Sequence, residues 1–147
     1  MRVKDVMTSH IACIQPEHTV MEAAKAMQKH NIGILPVCYE SQALVGIVTD
    51  RDIVTRCIAN GRNVSTTPIG DIMTEEVFTI EPDANINEAS RMMADYRIRR
   101  LPVMHNGEMI GIISIGDIAT ADGMENKARH ALSNISEPSK PMNMGQQ

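Results

Sequence analysis

Ile32-Gly33-Ile34-Leu35-Pro36-Val37 and Ile98-Arg99-Arg100-Leu101-Pro102-Val103 decide the fold, because the second run repeats the pattern of the first 66 residues later. The same offset holds on either side. Val3-Lys4-Asp5-Val6-Met7-Thr8 aligns with Ile69-Gly70-Asp71-Ile72-Met73-Thr74, Ile14-Gln15-Pro16 with Ile80-Glu81-Pro82, and Glu22-Ala23-Ala24 with Glu88-Ala89-Ser90. A one-residue deletion near Ser41 changes the offset to 65, after which Gly46-Ile47 aligns with Gly111-Ile112 and Asp52-Ile53 with Asp117-Ile118. Conserved order at fixed spacing marks an internal duplication.

Each copy predicts the order β-α-β-β-α. A short apolar run, Ile11 to Ile14 or Val77 to Ile80, ends at a proline and reads as a strand. An amphipathic helix follows over Thr19 to His30 or Asn85 to Tyr96, with Val20, Ala23, Ala24 and Met27, or Ile86, Ala89 and Met93, at helical spacing. Thr19 with Glu22, and Asn85 with Glu88, supply a cap and an acidic partner at its third position. Strands are expected around Ile34 to Cys38 and Leu44 to Thr49, and around Arg100 to Met104 and Met109 to Ser114. A second helix starts near Asp50 or Ile115.

The expected architecture is an α/β chain of the α+β kind, two tandem repeats packed as one pseudo-symmetric module. Residues 2–60 form the first repeat and the polar, turn-rich residues 61–68 a linker. Residues 69–122 form the second repeat. Residues 123–136 form an added helix marked by Met124, Ala128, Ala131, Leu132 and Ile135, and residues 137–147 a disordered tail. One copy alone buries too little surface to be secure, so the two must share a core.

Composition narrows the function classes. Hydrophobic residues make up 43% of the 147, with no Trp and one Phe, so Ile, Val, Leu, Ala and 12 Met must fill the core. A net charge of −4 with dispersed Lys and Arg argues against nucleic acid as a partner. No apolar run approaches the roughly 20 residues of a membrane span, and the first residues lack a signal peptide's apolar stretch, so a cytoplasmic location is expected. Cys13, Cys38 and Cys57 form no close pair along the chain, which suits a reducing compartment. Cys38 and Cys57 sit in apolar contexts that favour packing over redox or metal duty. The five histidines have no partner at metal-ligand spacing, and no nucleophile elbow, phosphate-binding P-loop or paired acid and base is present. No catalytic residue, no metal site and no required cofactor is expected.

The chemistry concentrates where an apolar strand runs into a helix. Gly46-Ile47-Val48-Thr49 leads to Asp52, and Gly111-Ile112-Ile113-Ser114 to Asp117. A helix start presents unpaired N–H groups that suit a phosphate, and Thr49 or Ser114 adds a hydroxyl. Three residues on, the Asp52 or Asp117 carboxylate can accept both hydroxyls of a ribose. Gly46 and Gly111 leave room for close backbone approach. The other reading is a pair of helix caps. The first helices use Glu at the third position and these use the shorter Asp, which is expected to reach the cap less well, so ligand binding is favoured.

Two β-α-β-β-α copies, each closing with Gly-apolar-apolar-Thr/Ser-x-x-Asp, resemble the CBS-domain family, and the tandem resembles its Bateman module. His30 to Val37 with Gly46 to Val54 is similar to small stand-alone bacterial CBS pairs of the hypoxic-response type. The resemblance implies a homodimer, ligand clefts between the repeats, and adenosine-containing ligands such as AMP, ADP, ATP or S-adenosylmethionine. It also implies a regulatory role toward a target protein that the chain does not contain. A ligand-independent dimerisation or adaptor module is the alternative. On this frame Ile11, Leu35, Val77 and Leu101 would sandwich a purine or else belong to the core, and Pro36 and Pro102 would shape the cleft wall. Arg99 and Arg100 would reach a phosphate or form a solvated pair. Asp50 and Arg51 stand where the second copy has Ile115 and Gly116, which predicts two unequal sites. Thr8 and Thr74 enter the clefts in many relatives.

Overall fold

The computed structural model describes residues 1–9, 11–121 and 124–136. In the first repeat, helix α1 (Val3–Val6) is followed by α2 (Val20–His30), strands β1 (Ile34–Cys38) and β2 (Leu44–Thr49), and α3 (Asp50–Asp52), which continues as a π-helical segment, Ile53–Ile58. A 3-10 turn at Ile69–Asp71 opens the second repeat, which contains α4 (Ile86–Tyr96), β3 (Arg100–His105), β4 (Glu108–Ser114) and α5 (Ile115–Ala119). Helix α6 (Glu125–Ile135) follows.

The duplication is visible in local geometry. Helix α2 is capped reciprocally by Thr19 and Glu22, and Asn85 Oδ1 accepts the Asn87 N–H at 2.8 Å to cap α4. Both helices stop at a left-handed residue, Asn31 or Arg97, at the same repeat position. β1 pairs antiparallel with β2, and β3 with β4, the latter pair joined by Asn106-Gly107 with both φ positive, as a tight hairpin demands.

The expected leading strands shrink to one residue each. Ile14 makes a parallel bridge to Val37 and Ile80 one to Val103. The reason lies a few residues upstream: Thr8 is already paired with Ile112 of the second repeat, and Thr74 with Ile47 of the first. Residues 11–13 and 75–79 belong to the crossings between repeats, so they cannot also extend a sheet.

That crossing is reciprocal. Val3 is wholly buried in the core of the second repeat, beside Ile86, Leu101 and Ile113. Ile69 and Ile72 are buried in the first, beside Val20, Leu35 and Val48. The Thr8–Ile112 pair closes with N–H to O bonds of 2.8 and 2.9 Å, and the Thr74–Ile47 pair with bonds of 2.8 and 2.9 Å. Linker carbonyls serve too, since Thr67 O and Val64 O accept the first N–H groups of α2. On the other side Lys4 and Arg2 meet Asp83 at 3.0 and 3.1 Å, and the hydrogen bond from Lys4 above all holds that exposed carboxyl below its ordinary pKa.

Helix α6 lies over α4 and α5. Ala128, Ala131 and the preceding Met124 are buried there, Ser90 Oγ donates to Lys127 O at 3.2 Å, and Asn134 Nδ2 donates to Ala94 O. Leu132, expected on the packed face, is 39% exposed. Residues 137–147, read from the sequence as a disordered tail, lie outside the described residues. Among the described residues no helix is long and apolar enough to cross a membrane.

Gly46 and Gly111 make the exchange sterically possible. A Cβ at Gly46 would stand 2.7 Å from Thr74 O, and one at Gly111 would stand 2.9 Å from Thr8 O and 2.7 Å from Met7 Sδ. Gly46→Ala is therefore expected to lower stability by about 1–3 kcal/mol in urea unfolding. Gly116→Ala, whose nearest neighbour would be an ordinary 3.6 Å away, should leave it unchanged or slightly raised.

Candidate functional site

At each strand-to-helix junction the hydroxyl and the carboxylate bond to each other's backbone. Thr49 Oγ1 accepts the Asp52 N–H at 3.0 Å, and Asp52 Oδ2 accepts the Thr49 N–H at 3.0 Å. Ser114 Oγ accepts the Asp117 N–H at 3.1 Å, and Asp117 Oδ2 accepts the Ser114 N–H at 2.9 Å. The expectation that Asp reaches the cap less well than Glu is thus overturned. The cap residues share the extended ψ of Thr19 but differ in φ, −114° and −113° against −80°, and this rotation brings the backbone N–H within reach of the shorter side chain. Both pairs are capping boxes, whatever else they do.

The two junctions differ in what remains. Asp52 is 8% exposed; Thr74 Oγ1 donates to its Oδ2 at 3.4 Å, and Arg56 Nε lies 3.7 Å from its Oδ1. Arg56 also donates from Nη1 to the carbonyls of Ile72 and Met73, both at 3.2 Å, so it ties the exchanged segment to the helix. Sequence reading passed over Arg56, although its place four residues after Asp52 marked a helical ion pair. Asp117 is only half-buried, and among the described residues no bond engages its Oδ1.

Between the repeats lies a cleft of about 160 Å³, lined by Ile34, Pro36 and Ile47 from one sheet and Arg100, Pro102 and Ile112 from the other, with Ile98, Thr74, Glu76, Val77 and Phe78 along its side. Alternation along each strand explains the lining, since every second residue faces the same way. It also removes two expected contacts. Leu35 and Leu101, 1% and 0% exposed, point into the two cores, and the purine-sandwich reading does not hold for them. Ile34 is the cross-strand partner of Thr49, and Arg100 of Ser114. The cleft therefore adjoins both junctions through these neighbours, while Thr49, Asp52, Ser114 and Asp117 themselves are not among the residues that line it.

The remaining sequence candidates scatter. Pro36, Pro102, Val77, Thr74 and Arg100 line the cleft. Arg99 is exposed beside it, and its carbonyl accepts the Ile115 N–H at 2.9 Å. Thr8 is the counterpart of Thr74, bridged to Ile112. Ile11 lines a separate cavity with Gln42, Met109 and Ile110. Asp50 and Arg51 are exposed, and Asp50 borders a different groove with Ala24, Met27, Asn31 and Val54. Phe78, which the sequence reading missed, stacks on Tyr96 with centroids 3.8 Å apart and planes 8° from parallel. As the only Phe of the chain, set in the run Val77 to Ile80, it was there to be noticed.

Cys13 and Cys38, distant along the chain, are neighbours in space with sulfurs 3.4 Å apart, while Cys57 is buried in the first core. Among the described residues no group of three or more His, Cys, Asp or Glu gathers as metal ligands would.

Comparison with known proteins agrees with this architecture. The CBS domain family profile matches residues 3–58 and again 69–123. The CBS domain-containing protein YhcV of Bacillus subtilis is 40% identical over 91% of this chain and 94% of its own. The crystal structure of Hypoxic Response Protein I with two coordinated zinc ions superposes with a TM-score of 0.75 at 32% identity, covering 81% of this chain and 97% of that one. The CBS domain pair of protein MJ0100, in complex with 5′-methylthioadenosine and S-adenosyl-L-methionine, gives 0.71 at 32% identity over 81% and 93%. Two matches in tandem, on a fold of two exchanged repeats, mean that the chain belongs to the CBS-domain family as a CBS pair.

Proposed function

We propose that this chain is a non-catalytic, cytoplasmic regulatory module that binds an adenosine-containing small molecule, AMP, ADP, ATP or S-adenosylmethionine, in the cleft between its repeats. One observation carries the reading: an apolar cleft between the two sheets is lined by Ile34 and Arg100, the cross-strand partners of Thr49 and Ser114, so it adjoins two strand-to-helix junctions that each carry a hydroxyl and a carboxylate. At 160 Å³ the cleft is smaller than the roughly 300 Å³ at which drug-sized pockets begin, so it suits a flat base, with the sugar and phosphate outside. Ile34, Pro36, Pro102 and Ile112 would sandwich the base. The ribose belongs at Asp117, whose Oδ1 is open to a hydroxyl donor, whereas Asp52 is occupied by Thr74 and Arg56. Arg100 suits the phosphate better than the end of α5, which has only five residues and whose Asp117 N–H already bonds Ser114. The adenosine compounds bound by the MJ0100 pair support the ligand class.

Such a ligand touches both sheets and residues 74–78, so it favours one arrangement of the repeats and shifts what an unidentified target protein meets. Titration calorimetry with AMP, ATP and S-adenosylmethionine tests this. Asp117→Asn, which keeps an oxygen for the cap, is expected to weaken binding about tenfold or more, the worth of one charged hydrogen bond. Asp52→Asn should weaken it less. Ligand at 100 times Kd should add about 2.7 kcal/mol of stability. No heat and no melting shift with any of the three would leave the ligand-independent adaptor as the better account.

The same reading includes a homodimer. Val54 and Ile58, 55% and 56% exposed, project from the π-helical segment beside the groove between α2 and α3. In the second repeat the equivalent helix pair is covered by α6; in the first it is open, and a second copy would cover it. Light scattering should give twice the chain mass for the wild type and the single mass for Val54→Glu/Ile58→Glu. A monomeric wild type would remove this part of the proposal.

A further inference from the structure

The first repeat carries a thiol pair that the second does not. Cys13 and Cys38 align with Thr79 and Met104. The two cysteines flank the parallel bridge between Ile14 and Val37, Cys13 just before it and Cys38 just after, and the Cys38 N–H donates to Ile14 O at 2.9 Å. The Cys38 thiol donates to Cys13 Sγ at 3.4 Å. Cys13 is exposed, and Cys38 is 1% exposed. Both line an open surface cleft of about 500 Å³ with Gln15, His18, Tyr39 and Glu40, so a small solute can reach the Cys13 sulfur.

The pair is chemically divided. The bond from Cys38 lowers the pKa of Cys13 more than its partial burial raises it. The same bond, with burial, pushes the Cys38 thiol up and keeps its proton on. One sulfur is therefore an accessible nucleophile, since the thiolate is the reactive form, and the other waits in contact with it. Cys57 has neither property; it is fully buried, and its thiol faces Arg62 O at 3.7 Å.

We propose that Cys13 and Cys38 form a hydroperoxide-reactive dithiol that closes to an intramolecular disulfide. The Cys13 thiolate attacks one oxygen of the hydroperoxide; an S–O bond forms, the O–O bond breaks, and the leaving oxygen takes a proton from solvent. Cys38 then gives up its proton and attacks the Cys13 sulfenic acid sulfur; the S–S bond forms and the S–O bond breaks with loss of water. Two thiols lose two electrons and two hydrogens, and the peroxide is reduced to water and an alcohol, or to two waters from hydrogen peroxide. The sulfurs must close from 3.4 Å to about 2.0 Å. The bulge between Val37 and Cys38 supplies local play, since the ladder is already interrupted there. The closed loop encloses α2 and staples residues 11–13, which lead from the crossing to the Ile14 bridge, to β1. The staple does not depend on nucleotide binding.

The experiment treats the intact protein with hydrogen peroxide, unfolds it, alkylates free thiols and measures its mass before and after dithiothreitol. Alkylatable thiols should fall from three to one, with the loss of two hydrogens, and return to three on reduction. Trypsin cuts after Lys4, Lys25, Lys29, Arg51, Arg56 and Arg62, so each cysteine falls in a separate peptide, and an unreduced digest should join residues 5–25 to 30–51. Cys13→Ser, a change at an exposed position, should abolish the cross-link and leave Cys38 and Cys57 alkylatable. Oxygen added at Cys13 without a cross-link, a link to Cys57, a link between two chains, or three thiols surviving peroxide would each overturn the proposal.

Discussion

Two backbone pairs, Thr8 with Ile112 and Thr74 with Ile47, hold the architecture together. Each sets the opening segment of one repeat against the second sheet strand of the other, directly over a glycine. A side chain at Gly46 or Gly111 would meet a carbonyl oxygen below 3 Å, so these positions admit only hydrogen without rearrangement. Because each repeat lends Val3 or Ile69 to the other's core, neither core is complete alone. The exchange follows from size, since about 60 residues bury too little apolar surface to stand unaided.

The exchange also makes the cleft. Residues 74–78 leave the Ile47 pairing, run along the gap between the sheets, and reach Ile80 at its bridge to Val103. Thr74, Glu76, Val77 and Phe78 line the cleft because they are the crossing. On the pseudo-symmetric crossing, residues 11–14 lead into the Ile14 bridge with Val37 and bring Cys13 beside Cys38. Identical topology with different residues thus places an apolar slot at one crossing and a thiol pair at the other.

Much of this was legible in the sequence because it is local. The repeat offset, the extents of α2 and α4, and the strands Ile34–Cys38 and Leu44–Thr49 follow from periodicity and caps within a few residues. The exchange was not legible, because pairing Thr8 with Ile112 leaves no periodic trace, and for the same reason Ile11 to Ile14 was read as a strand. Leu35 and Leu101 were candidates on both sides of their strands, and only the register showed that Pro36 and Pro102 own the cleft face. The Asp52 and Asp117 motifs were found by pattern, but pattern could not tell a cap from a ligand contact. The proximity of Cys13 to Cys38 depends on the one-residue bridge that follows the crossing.

The inequality of the two junctions bears on how such a module could respond to a ligand. Asp52 is bound by Thr74 from the exchanged segment and by Arg56, which also holds the Ile72 and Met73 carbonyls. Its carboxylate joins the repeats. Asp117 has no counterpart to Arg56, since the aligned residue is Ala121. One junction is therefore fastened by the protein's own charges, and at the other one carboxylate oxygen takes no bond among the described residues. A ligand bridging Asp117 and the cleft would do for the second junction what Arg56 does for the first. The free energy of such a contact falls on the relative placement of the repeats, because the residues it touches are those that cross between them.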